Sequence, residues 1–139
     1  MMLEVGQLRD FAAHYTAAWC SGDPARVAAC YAPNGSLTIN GGAPSSGRIE
    51  IMEAARGFMS TFPDLRVIMD DVLVKDKYAE FHWTLTGTNS GAGGTGNRVR
   101  ISGFEVWTLG EDGLIAESRG HFDSEEYERQ LKGRWLGPE

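Results

Sequence analysis

The sequence predicts an α+β domain: a curved antiparallel sheet wrapped against N-terminal helices into a half-closed cone. Three observations carry this. Apolar residues recur at helical spacing over most of the first 61 positions. From Leu65 onward, apolar and polar residues alternate in runs separated by tight turns, as in hairpin-linked strands. Helices early and strands late build a sheet with its helices segregated to one side, not a parallel α/β sheet. No repeat and no long linker divides the 139 residues, so residues 1–139 form a single domain, with a short C-terminal tail from about residue 134.

Each element has its own signal. Leu3, Leu8, Phe11, Ala12, Tyr15, Ala18 and Trp19 form a helical stripe that should stop near Ser21-Gly22. Asp23-Pro24 restarts a short helix, with Asp as cap and Pro in its first turn. Ala32-Pro33-Asn34-Gly35 reads as a turn, Ser36–Asn40 as a short strand and Gly41–Gly47 as loop. Ile51, Met52, Ala55, Phe58 and Met59 mark a helix from Arg48 to about Thr61, broken by Phe62-Pro63-Asp64. Strands follow at Leu65–Val74, Tyr78–Thr88, Val99–Leu109 and Leu114–Phe122. Ser124 starts a last helix with Glu125 and Glu126 in its first turn, where carboxylates suit the helix dipole, and Gly133 ends it.

Composition excludes several functions. A net charge of −6 with scattered Lys and Arg supplies no basic stripe for nucleic acid and no attraction to an anionic membrane. Cys20 and Cys30 sit in helical-looking stretches and read as small buried hydrophobes. MMLEVGQLRD lacks the basic and apolar regions of a signal peptide, and no apolar run approaches a membrane span, so a cytoplasmic protein is expected. Asn89–Asn97 is Gly-rich but lacks the Lys and the strand-to-helix setting of a phosphate loop; it reads as a hairpin loop or lid. No Ser stands in G-x-S-x-G, and no H-x-x-x-H pair suggests a metal.

Four stretches together resemble one family. They are Gly47 through Phe62-Pro63-Asp64-Leu65; Trp83-Thr84-Leu85-Thr86-Gly87-Thr88; Gly94-Thr95-Gly96; and Asp112-Gly113-Leu114-Ile115-Ala116-Glu117 with Asp123 and Gln130-Leu131-Lys132-Gly133. In this order and spacing the chain resembles the SnoaL-like polyketide cyclases of the NTF2-like superfamily, which includes ketosteroid isomerases. The resemblance implies a cone enclosing an apolar pocket, with no cofactor and no metal. It also implies an Asp at the position of Asp123 acting as acid/base in an aldol-type ring closure. Where the family commonly has G-T-H this chain has Gly87-Thr88-Asn89, and where it commonly has Trp on the last strand this chain has Arg119. Both changes alter the charge of the implied pocket.

The candidate site residues follow. Ile115, Glu117, Arg119, His121 and Asp123 fall on alternate positions and share one strand face if the strand is regular. In the implied cone, Arg119, His121 and Asp123 line the cavity near its mouth. Asp123 is then the catalytic acid or base, or else a helix cap beside Ser124. His121, two residues away, is its catalytic helper or an ordinary strand His. Arg119 binds an anionic end of the ligand or simply pairs with Glu117. Glu105 stands with Val99, Ile101 and Trp107 on one parity, company in which a carboxylate is buried and shifted, or at a strand edge. Tyr15, Trp19 and Tyr31, from the helices that cap the pocket in the implied fold, and Phe58 and Phe62 are binding or core residues. Phe81, Trp83 and Leu85 mark the core face of their strand, which sends His82 outward.

The expected function is cofactor-free acid–base chemistry on a small, largely apolar carbonyl compound, by cyclisation or isomerisation. The alternative is a non-catalytic small-molecule-binding or dimerisation module on the same fold. A homodimer suits either, through the broad outer sheet face.

Overall fold

The computed structural model describes residues 4–133; Leu3 and the tail from about residue 134 lie outside them. Helix α1 (Val5–Cys20) buries Leu8, Ala12, Tyr15, Ala18 and Trp19 along one stripe. The chain leaves it through Gly22, whose φ of 75° is the left-handed region that glycine adopts without strain. Asp23 then caps α2 (Pro24–Ala28), its carboxylate accepting from the Ala25 N–H at 3.0 Å.

Strand β1 (Tyr31–Ile39) starts earlier than the sequence suggests. The expected turn at Ala32–Gly35 is an irregularity inside the strand, across which its register to the neighbouring strand shifts. Tyr31 therefore belongs to the sheet and not to a helix. A two-residue strand, β2 (Ser45–Ser46), lies within the expected loop and pairs with Ser36 and Leu37. Two polar residues carry no periodicity, so nothing in the sequence marks them.

Helix α3 (Gly47–Thr61) is followed by β3 (Arg66–Lys75), β4 (Tyr78–Thr88), β5 (Arg98–Leu109), β6 (Ile115–Phe122) and α4 (Ser124–Leu131). The six strands form one sheet in the order β2-β1-β6-β5-β4-β3. Every pair is antiparallel except β1 with β6, which run parallel. That pair joins strands far apart in the chain, so no hairpin constrains its direction.

Helix α1 lies across the sheet, and the core is largely aromatic. Phe81 and Trp107 stack at 5.0 Å between centroids, and Tyr15 meets both edge-on at 5.4 and 5.1 Å. Each such ring contributes about 1.5–3 kcal/mol by leaving water.

The family-like motifs prove to be structural joints. Phe62 packs over Gly87, where a Cβ would sit 2.8 Å from the Cβ of Phe62. Asp64 accepts from the Thr88 N–H at 2.7 Å and the Thr88 hydroxyl at 2.8 Å, tying the break after α3 to the end of β4. The Gly-rich loop is likewise tied down. Thr95 and Asn97 side chains donate to the Leu131 carbonyl at 2.8 and 2.9 Å, and Gly91 N–H donates to Thr61 O at 3.3 Å. The loop thus closes the C-terminal ends of α3 and α4, whose last carbonyls lack helical partners.

Strand β6 holds a decisive irregularity. Thr108 pairs with Glu117 but Leu109 pairs with Ile115, which leaves Ala116 as an extra residue. One extra residue reverses the facing of everything after it. Ile115 is buried, yet Glu117, Arg119 and His121 are exposed while Ser118 and Gly120 are buried.

Candidate functional site

Between the helices and the inner face of the sheet lies a cavity offering about 60 Å³ to the centres of water-sized spheres. That is room for several waters or a small organic group. Trp19, Phe58, Phe81, Trp83, Phe122 and Tyr127 give it aromatic walls, aliphatic side chains from four strands complete them, and Glu105 is the single charged lining residue among those described.

Glu105 reaches this position because β5 alternates cleanly: Val99, Ile101, Glu105 and Trp107 all turn inward. Its carboxylate is tightly held. Oε1 accepts from the Ser118 hydroxyl at 2.7 Å, the Trp107 indole N–H at 2.9 Å and the Tyr15 hydroxyl at 3.0 Å. Among the described residues, Oε2 receives only Tyr15, at 3.3 Å. The Tyr15 and Tyr31 hydroxyls lie 2.9 Å apart, which extends the network to β1. Burial pushes the Glu105 carboxyl up from its ordinary 4.5, while the bonds from Trp107, Ser118 and Tyr15 pull against that rise. Burial likewise holds the Tyr15 and Tyr31 phenols well above 10, with the nearby Glu105 charge adding to it.

Oε1 is saturated with donors, whereas Oε2 keeps unused lone pairs. Oε2 is therefore the oxygen able to exchange a proton. A carboxyl in an apolar cavity, its pKa raised by burial, is suited to give or take a proton.

Trp83 lies opposite Gly103 on β5, and a Cβ on Gly103 would come 2.6 Å from Cζ2 of Trp83. The missing side chain lets the indole lie close to the sheet, with its ring edge-on to Phe122 at 6.0 Å. The Trp83 Nε1–H is buried and has no hydrogen-bond partner among the described residues.

Several expected site residues meet here. Glu105, Trp19 and Phe58 line the cavity, and Tyr15 and Tyr31 join Glu105 through their hydroxyls. Phe62 is fully buried in the core, beside Tyr127 at 6.4 Å. The expectation that Arg119, His121 and Asp123 line the cavity is corrected, because the extra residue at Ala116 turns their parity outward. Arg119 sits over the Tyr78 ring at 5.9 Å and 3.9 Å from Glu117. His121 packs on Phe104 at 5.0 Å, next to His82, which also stacks on Phe104 and bonds Glu80 at 3.1 Å. Asp123 is exposed and caps α4, accepting from the Glu126 N–H at 3.1 Å.

The sequence reading did not single out Ser118, Trp107, Trp83 and Tyr127 as site residues. Trp107 shares the parity of Glu105 two positions on. Ser118 carries no such signal, since only the bulge before it turns it inward. Among the described residues no group of three or more His, Cys, Asp or Glu could hold a metal ion. No helix among them is long and apolar enough to cross a membrane.

A mixed sheet with helices on one face around a mostly apolar cavity places the chain in the ketosteroid isomerase-like fold class. Residues 11–118 match the family model of the SnoaL-like domain, and the chain belongs to that family. Among solved structures it is similar to TsrD from Streptomyces laurentii, at 26% identity over 94% of this chain and 98% of that one, with a TM-score of 0.79. It is similar at 17% identity to a protein of a Jannaschia species designated a SnoaL-like polyketide cyclase, over 99% of both chains with a TM-score of 0.77. A ketosteroid isomerase-like protein of Catenulispora acidiphila, solved with trimethylamine, matches at 13% identity over 88% of this chain and 92% of that one, with a TM-score of 0.78. No curated protein sequence matches the chain.

Proposed function

We propose that the protein is a cofactor-free acid–base enzyme acting on a small, largely apolar carbonyl compound, with Glu105 as the proton-transferring group. The observation that carries this is a lone buried carboxyl in the cavity wall, with one oxygen saturated by donors and the other not. As carboxylate, Glu105 takes a proton from the carbon next to the carbonyl, leaving an enolate. From a β,γ-unsaturated ketone the anion is a dienolate, and Glu105 returns the proton at the γ-carbon, which shifts the double bond; alternatively the enolate carbon attacks a second carbonyl in the same molecule, which closes a ring, and Glu105 returns the proton to the alkoxide formed. Ser118, Trp107 and Tyr15 fix the carboxylate, so no reorganisation is needed during transfer. The aromatic walls exclude water from the enolate. One solved structure similar to this chain is designated a SnoaL-like polyketide cyclase, which is in keeping with this chemistry.

The second reading, a small-molecule-binding module, is favoured by the same network, since a carboxylate so fully bonded also serves as a structural brace. Proton exchange at the carbon next to the carbonyl of small cyclic ketones, followed by NMR in deuterium oxide, separates the two. The enzyme reading expects exchange above the buffer rate, falling about 10²-fold or more in Glu105→Gln. It expects little change in Asp123→Asn, which keeps the helix cap. Ketone binding without exchange would leave the binding module standing and end the enzyme reading.

A further inference from the structure

The cavity sets one carboxyl among aromatic rings. Trp19, Phe58, Trp83, Phe122 and Tyr127 line it together with Glu105, the single charged lining residue among those described. These rings are crossed, not stacked. Trp19 meets Phe58 at 75°, Trp83 meets Phe122 at 67° and Phe122 meets Tyr127 at 73°, with centroids 6.0, 6.0 and 5.4 Å apart. Crossed rings leave π faces uncovered that a stack would hide, and those faces carry negative potential. An ionised Glu105 adds charge of the same sign to the same wall. Among the described residues the lining offers no set of convergent oxygens, which a metal ion or a strongly hydrated primary ammonium requires. A negative field without such oxygens suits a cation that is apolar on its surface and weakly hydrated. The volume agrees, since about four to six waters fill it, the bulk of a trimethylammonium group.

We propose that the cavity is a binding site for small methylated ammonium compounds, whose cation lies among the aromatic rings and is balanced by the Glu105 carboxylate. The inference goes beyond the carbonyl chemistry above and stands whether or not that reaction occurs, because it needs a negative wall and no proton transfer. Trp19 comes from α1, Phe58 from α3, Tyr127 from α4 and Glu105 from β5, so the cage exists only where the helices close over the sheet. A pH dependence follows. The Tyr15 hydroxyl from α1 and the Tyr31 hydroxyl from β1 face the carboxyl, Cys30 lies behind Tyr31, and Tyr127 shares the cavity wall. Burial raises all three phenols above 10 and pushes the Cys30 thiol up to about 11, so Glu105 is the group here that changes charge at lower pH. Ionised Glu105 attracts the cation, so its affinity rises with pH. A neutral ligand of the same shape strips water from that carboxyl and favours its protonated form, so its affinity falls.

The test compares choline with 3,3-dimethylbutan-1-ol, which has the same shape with carbon in place of the charged nitrogen. Both are titrated into the full chain by calorimetry at about pH 5.5 and about pH 8. The expected result is about 10–30-fold tighter binding of choline at the higher pH, with the advantage no larger at the lower one. Glu105→Gln keeps the volume without the charge, and it should lose most of that advantage. Equal or tighter binding of the alcohol by the wild type at the higher pH overturns the proposal, even if the variant fails to fold. So does an advantage that grows as pH falls, an advantage kept in a folded Glu105→Gln, or no choline binding at about 10 mM. The proton-exchange assay keeps the two readings apart. Choline binding without ketone exchange sinks the catalytic reading alone, and ketone exchange without choline binding sinks only the cation site.

Discussion

Replacing Glu105 by Met removes the acceptor at the centre of the network and keeps most of its volume. Three donors then lose Oε1: Ser118, Trp107 and Tyr15. Tyr15 keeps Tyr31 as a partner at 2.9 Å. Ser118 and Trp107 are fully buried, with 0% exposure each; Glu105 is the only side-chain partner of Trp107 among the described residues, whereas Ser118 also meets the Tyr31 hydroxyl. A stranded donor costs about 1–3 kcal/mol, so the loss through Trp107 is about 1–3 kcal/mol. With a urea slope of about 2 kcal/mol/M, the unfolding midpoint drops by about 0.5–1.5 M. The pH dependence carries a second, independent sign. Burial raises the folded-state pKa of Glu105 above its ordinary 4.5. Between the two values the folded protein keeps a proton that the unfolded chain has released. The stability Glu105 contributes is thus complete below about pH 4.5 and is lost as pH rises through the raised value, by about 1.4 kcal/mol per unit of that interval. The wild-type advantage over Glu105→Met should therefore be largest near pH 4.5 and shrink toward pH 8. Urea titrations of both proteins at the two pH values measure it. A variant as stable as the wild type at pH 4.5, or a gap that widens as pH rises, would refute the reasoning.

Other perturbations test separate parts of the structure. Tyr15→Phe keeps the ring contacts with Phe81 and Trp107 but removes the hydroxyl shared by Glu105 and Tyr31; thermal unfolding should show a loss of about 1–2 kcal/mol. Gly103→Ala places a methyl in clash with the His121 carbonyl oxygen and 2.6 Å from the Trp83 ring, so β5 and β6 must move apart; thermal unfolding should show a loss of about 1–3 kcal/mol. Asp123→Ala should lose about 1 kcal/mol through the cap of α4 while Asp123→Asn loses almost none, as denaturation of the pair will show. Arg119→Ala should change stability by less than about 0.5 kcal/mol and leave ketone binding intact, because its partner Glu117 is half-exposed; calorimetric titration and melting check both.

By itself the sequence determined most of the elements, because periodicity is a local property. The stripe of α1, the cap at Asp23, the clean alternation of β4 and β5 and the stop at Gly133 are each written within a few residues. The inward place of Glu105 was legible for the same reason, as it shares parity with Ile101 and Trp107 on a regular strand. The family was legible because its motifs are structural joints, such as Phe62 over Gly87 and Asp64 on Thr88. The tertiary structure alone decided which face of β6 meets the cavity. Glu117, Arg119 and His121 alternate as cleanly as Ser118, Gly120 and Phe122, and local pattern cannot rank two such faces. The register with β5 ranks them, since it admits Ala116 as an extra residue and so turns the charged set outward. The partners of Glu105 were equally hidden: Tyr15 lies 90 residues away and Ser118 13, and only closure of the helices over the sheet brings their hydroxyls to one oxygen.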